Sequence, residues 1–240
     1  MEQLKEQVGH LSEVFQKSVN LLIVDDYPIM CNAIVDLFSS PLFNIDTAAS
    51  AREARTVIAR KKTWHCWILD ISLEEEHSGI DLLSENPQYP FAIMLSGMRS
   101  MSIASKAMQV GAYKVFDKDP QLLPVLHSDV CNLAAMSYVL NGTGTKYFSL
   151  FFLLAQMNID SAETWANNAC MTVRQLERIC SLHSHLTPRF IIPFFYTLKL
   201  LLQLEIKSSI DEFLQEEEKT APYRQHIDFV NRHLDTIIAR

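Results

Sequence analysis

Along residues 20–118, short apolar runs alternate with stretches in which apolar residues return every three or four places. The runs 20–25 (NLLIVD), 43–48 (FNIDTA), 64–70 (WHCWILD), 91–95 (FAIML) and 113–116 (YKVF) predict strands. The intervening stretches, about 27–38, 50–61, 79–85 and 100–110, and a last one at about 121–138, predict helices. Several strand runs are almost continuously apolar, as expected where helices cover both faces of a parallel sheet. Five βα units of this kind predict an α/β domain with a doubly wound, five-stranded parallel sheet.

Ahead of the first strand, Leu4, Val8, Leu11 and Phe15 recur at helical spacing and predict a short amphipathic helix within 1–18. Such a helix docks on its own domain or pairs with a second copy. The segment NGTGT (141–145) holds two of the six glycines and marks 141–146 as a linker between an α/β domain, 19–140, and a second domain, 147–240. The second domain shows no β-like alternation and predicts helices throughout. FFYTLKLLLQLEI reads as a dense core helix. The tail 208–240 reads as two amphipathic helices, the second carrying Ile227, Val230, Leu234 and Ile237. QEEEK (215–219) reads as a solvated helix face.

Composition narrows the function classes. With 240 residues, 48% hydrophobic and 20% charged, the chain can build a substantial core in one or two domains. A net charge of −7 argues against bulk polyanion binding by the whole molecule, while allowing a local basic face. Five cysteines, without CxxC spacing, fit reduced and mostly buried thiols in a cytoplasmic protein. The charged N-terminal segment is unlike a signal peptide, and no apolar run reaches the ~18–20 residues of a membrane span, so no membrane partner is expected. His183 and His185 are splayed at i, i+2 without a nearby ligand set, which disfavours zinc.

Candidate chemistry lies at the strand ends, where open α/β sheets place functional groups. The first strand ends in Asp25 and Asp26, the third in Asp70 and the fourth in Ser96, and Lys118 follows the fifth. Three adjacent carboxylates need a counter-charge. A hard divalent cation such as Mg²⁺ supplies one, taking one or two carboxylates and keeping water or phosphate oxygens. Together with a lysine and a hydroxyl donor, these are the parts for phosphoryl transfer to a carboxylate.

The pieces IVDD, WILDIS, GIDLL, IMLSG and GAYKVFDK, covering roughly 20–140, resemble the receiver domain of two-component response regulators. The resemblance implies a flavodoxin-like fold and a sensor histidine kinase as partner. It implies Asp70 as phosphoacceptor, Asp25, Asp26, Asp70 and the Ser72 backbone carbonyl as Mg²⁺ ligands, and Ser96 and Lys118 as phosphoryl contacts. There are departures. The family's switch aromatic is Val115 here, and the neighbouring Phe116 should face the other side of the sheet. The usual proline after the lysine is Asp119, with Pro120 one step later, which puts a cis X–Pro bond in doubt. The loop after Asp70 is acidic and lacks the common proline.

In the second domain, residues 161–181 suggest two helices joined by a tight turn, with Ser161 and Thr172 as N-caps. WA, TVRQLERIC and LTPRFIIPFFYTLKLL resemble the first helix-turn-helix of AraC-type transcription regulators. That resemblance implies DNA binding through Val173, Arg174, Gln175 and Arg178, with Leu176 and Ile179 in the core. The family's second copy of the motif is not found in 205–240. Residues 144–204 carry five basic and three acidic side chains, a net +2, so a homodimer would be needed to multiply phosphate contacts. The resulting expectation is a cytoplasmic, non-enzymatic response regulator controlling transcription. The competing readings are a signalling adaptor whose helical half binds protein, a phosphorylation-independent receiver used for dimerisation, and a haloacid-dehalogenase-type phosphatase. The last is disfavoured because LDIS lacks the second acid of a DxD.

Overall fold

The computed structural model describes residues 2–38, 40–60, 63–73, 78–87, 89, 91–97, 100–140, 147–204 and 217–239. The expected linker 141–146, the first tail segment up to residue 216 and most of the acidic loop after Asp70 lie outside the described residues.

Strands β1 (Val19–Val24), β2 (Phe43–Ala48), β3 (Cys66–Asp70), β4 (Ala92–Ser96) and β5 (Lys114–Asp117) form one parallel sheet in the order β2-β1-β3-β4-β5. Four helices alternate with them: α2 (Pro28–Leu37), α3 (Ala51–Arg60), α4 (Ser78–Ser84) and α5 (Met101–Gln109). A 3-10 turn (Pro120–Leu122) and the long helix α6 (Leu123–Val139) close the α/β part. The apolar runs are continuous because alternate residues enter different cores. Leu21, Ile23, Cys66, Ile68, Ile93 and Leu95 face the α2/α6 side, while Leu22, Val24, Trp67, Leu69 and Met94 face the α3/α4/α5 side. Phe116 joins the first cluster and Val115 packs against the second, as the strand period requires.

The C-terminal region is helical: α7 (Phe148–Gln156), α8 (Ala162–Asn168), α9 (Val173–Ser184), α10 (Pro188–Gln203), α11 (Glu217–Arg232) and α12 (Leu234–Ile238). Ser161 caps α8 by accepting from the Thr164 N–H. Thr172 caps α9 in a reciprocal box with Gln175. Helix α9 runs a turn beyond the expected 181 and ends at His185 in the left-handed conformation. In the tail, Ile227, Val230 and Ile237 are buried as their spacing suggests, but the helix is interrupted at His233.

The α2/α6-side core does not stop at the sheet. It continues through α6 into α10 and on to Phe151, Trp165 and Leu176. Side chains tie the two parts together: Ser40 Oγ donates to the Leu201 carbonyl at 2.9 Å, and Phe15 sits 5.6 Å from the Phe194 ring. Helix α1 (Glu2–Val14) buries Leu4, Val8 and Leu11 and lies along α11, where Gln7 donates to Asp228 at 3.3 Å. Of the two roles open to this amphipathic helix, docking within the chain is the one seen, though its partner is the C-terminal region. Among the described residues no helix is long and apolar enough to cross a membrane.

Candidate functional site

The parallel register brings the C-terminal ends of β1, β3, β4 and β5 to one edge of the sheet. Asp25 follows β1 directly and is anchored by its own N–H, which donates to the Ala48 carbonyl at 3.1 Å. Asp70 ends β3, and its Oδ1 accepts from the Ser72 N–H at 3.1 Å. Asp25 Oδ1 accepts from the Tyr27 N–H at 3.0 Å. Ser96 ends β4 and is buried, and its carbonyl accepts the Lys118 N–H at 2.8 Å, pinning the end of β5.

From that anchor the Lys118 side chain reaches back over the pocket. Its Nζ lies 2.7 Å from Asp70 Oδ2 and 2.8 Å from Asp25 Oδ2. Burial alone would lower the lysine's pKa, but the two carboxylates outweigh it and hold the ammonium above its ordinary value. Burial pushes the Asp25 carboxyl up, and the neighbouring Asp70 charge adds to this; Lys118 and the Tyr27 N–H offset it in part. The site is therefore charge-frustrated. One ammonium stands against Asp25, Asp70 and the exposed Asp26, and one carboxylate oxygen from each of the three lies within 4.8 Å of the others.

A hard cation fits this frustration. Asp25 Oδ2 is buried and has no well-angled hydrogen bond, only the 2.8 Å charge contact to Lys118. Three convergent carboxylate oxygens form an all-oxygen donor set suited to Mg²⁺. Gly79 permits the arrangement. A Cβ there would stand 1.8 Å from the Asp70 carbonyl oxygen, so any larger residue would push α4 off the strand end. The GIDLL pattern contained this glycine, but only the structure shows what it touches.

The departures also have locations. No cis peptide bond occurs among the described residues, so the Asp119–Pro120 bond is trans. The Asp119 side chain accepts from the Gln121 N–H at 2.9 Å and caps the 3-10 turn.

On α9 the picture is looser. Arg174, Gln175 and Arg178 are exposed along one face, with Thr172 beside them. Val173 is half-buried against the core, and the Gln175 amide is engaged in the cap. Leu176 is buried and Ile179 packs against the core. Arg189 lies 5.8 Å over the Phe229 ring of α11. Lys199, counted among the basic residues of this half, is half-buried in α10 near Cys131, and burial lowers its pKa. It therefore adds no charge to the α9 face. Leu182 is 69% exposed next to Arg178 and borders a cleft with Tyr147, Ile179 and His185.

Comparison with known proteins agrees with the α/β part. Residues 21–126 match the family model described as the response regulator receiver domain, and this segment is such a receiver domain. Similar solved structures include a CheY-like response regulator receiver domain protein from Methanospirillum hungatei JF-1. It is 22% identical, with a TM-score of 0.41, covering 48% of this chain and 95% of that one. A receiver domain protein from Clostridium thermocellum is 23% identical, with a TM-score of 0.45, over 51% of this chain and 98% of that one. A structure of the CheX-CheY-BeF3-Mg²⁺ complex from Borrelia burgdorferi is 28% identical, with a TM-score of 0.40, over 45% and 84%. No curated protein matches the chain.

Proposed function

We propose that the receiver segment accepts a phosphoryl group on Asp70 from a sensor histidine kinase and that the helical half turns this into transcriptional control. The observation that carries the reading is the Lys118 ammonium bridging two buried carboxylates at the sheet edge, beside a third. An Asp70 carboxylate oxygen attacks the phosphorus. The bond to the kinase histidine nitrogen breaks and its electron pair returns to the imidazole. Lys118, already in contact with Asp70, then faces a phosphoryl oxygen, and the Ser96 hydroxyl donates to another. Asp25, Asp26, Asp70 and the Ser72 carbonyl would hold Mg²⁺. When bound, the ion neutralises the charge that develops on the transferred group. The chain is itself the acceptor in this reading and needs no turnover on a separate substrate.

The test is phosphate incorporation from a small phosphodonor with Mg²⁺. Wild type should be labelled and Asp70→Ala should not. No labelling of wild type, or equal labelling of the variant, would refute the proposal.

For the output, exposed Arg174 and Arg178 on a capped second helix favour DNA, with phosphate contacts from the arginines and a homodimer to double them. One observation favours the adaptor reading: the exposed Leu182 and its cleft beside the same arginines suit a protein surface. Genome-wide DNA capture separates the two. DNA binding predicts enriched sites that Arg174→Ala loses, and enrichment of nothing leaves the adaptor.

A further inference from the structure

Beside the acidic pocket lies a cleft of about 100 Å³. Met30, Ala33 and Ile34 of α2 form one wall, Phe116 the floor, and Pro120 and Leu123 the other wall. These side chains offer no hydrogen bonds to hold water, and the volume exceeds the roughly 10–15 Å³ that one water requires. The cleft opens to solvent at Ala33, which is exposed.

Its position matters because of what borders it. Lys118 and Asp119 line the same cleft. Up to Lys118 the chain is pinned, since its N–H is held by Ser96. Beyond it come the capped 3-10 turn and then α6, whose buried face is the wall shared with α10. On the other side of β5, Val115 packs with Ile103 and Val110 in the second core, which does not extend into the helical half. A displacement at the end of β5 can therefore reach the helical half through α6, and the cleft lies between the turn and α2.

We propose that this cleft is the clearance for a lever. When Lys118 exchanges its Asp25 and Asp70 contacts for a phosphoryl oxygen, the turn 119–122 and the start of α6 shift into the cleft, and α6 passes the shift to α10. This rests on phosphorylation of Asp70. The cleft supplies the second arrangement that a packed core otherwise lacks.

Amide hydrogen exchange on the full chain tests it, with beryllofluoride plus Mg²⁺ as the probe and Asp70→Ala as control. Binding is measured separately by ¹⁹F NMR. Loading should change exchange about fivefold or more in both 119–126 and 188–203, the range of an ordinary coupling. Two variants fill the space: Leu123→Phe on the far wall, and Ala33→Leu at an exposed position of α2 that does not endanger folding. Each should bind beryllofluoride as wild type does, while the change in 188–203 falls below about twofold. Undiminished transmission in Ala33→Leu overturns the lever. So does a wild-type response confined to 101–115. Failure of wild type to bind beryllofluoride instead removes the phosphorylation reading itself, and the lever with it.

Discussion

At the sheet edge, Lys118 touches two carboxylates whose side chains are 0% and 6% exposed. On α9, Arg174 and Arg178 stand in solvent with no ion-pair partner among the described residues. The residue types are ordinary in both places, and the surroundings differ. Charges removed from water interact several-fold more strongly than those at a hydrated surface. The pocket's charges therefore constrain one another, in an arrangement that suits a hard cation. The arginines of α9 constrain nothing within the chain, and what they do depends on a partner.

Substitutions test this contrast, and the most costly should fall in the core that joins the two regions. Trp165 is fully buried, and its Nε1 donates to the Leu150 carbonyl at 2.9 Å. Trp165→Ala should cost about 3–5 kcal/mol in urea unfolding. Because the core runs unbroken from β1 to α9, wild type should unfold in a single transition. Two resolved transitions by circular dichroism would show that the regions are energetically separate.

Next comes Gly79→Ala. Its methyl group would meet the Asp70 carbonyl, so a loss of about 3 kcal/mol is expected, together with weakened Mg²⁺ binding. Mg²⁺ affinity equal to wild type would mean that the strand end adapts freely.

Relief of charge crowding should act in the opposite direction. Without Mg²⁺, Asp25→Asn should raise the melting temperature by about 2–4 °C, equivalent to roughly 1 kcal/mol. With Mg²⁺ the order should reverse, since the metal stabilises only the chain that binds it. A lower melting temperature in both conditions would show that the pocket is not frustrated.

The smallest effect belongs to His226 of α11, stacked on Tyr196 at 5.3 Å. Burial lowers its pKa below the ordinary 6.5, so the fold favours the neutral ring. Its contribution is present above pH 6.5 and is lost as pH falls through the lower folded value. His226→Gln should therefore flatten the decline of stability below pH 6.5, measured by urea melts at a series of pH values. An unchanged slope would show that His226 is free to charge in place.

Much of the α/β part was legible in advance. Each strand run lies within two residues of an observed strand, because a strand buried on both faces leaves an unambiguous apolar signature. Asp25, Asp70 and Lys118 meet, as expected, because strand ends in a parallel sheet share one edge. The caps Ser161 and Thr172 were legible because capping is local. Other features were not. The burial of Lys199 and the close approach of Gly79 to Asp70 depend on which surfaces meet.

Local period and chemistry at marked positions specify the succession of strands and helices along the chain, the acids and lysine at the strand ends, and the capped helix pair. Folding in three dimensions adds that α1 lies on α11, that α6 and α10 share one core, and that a cleft opens beside Lys118. Those outcomes depend on how distant apolar faces pair, and the hydrophobic effect, being non-directional, specifies that a face must be buried without specifying against what.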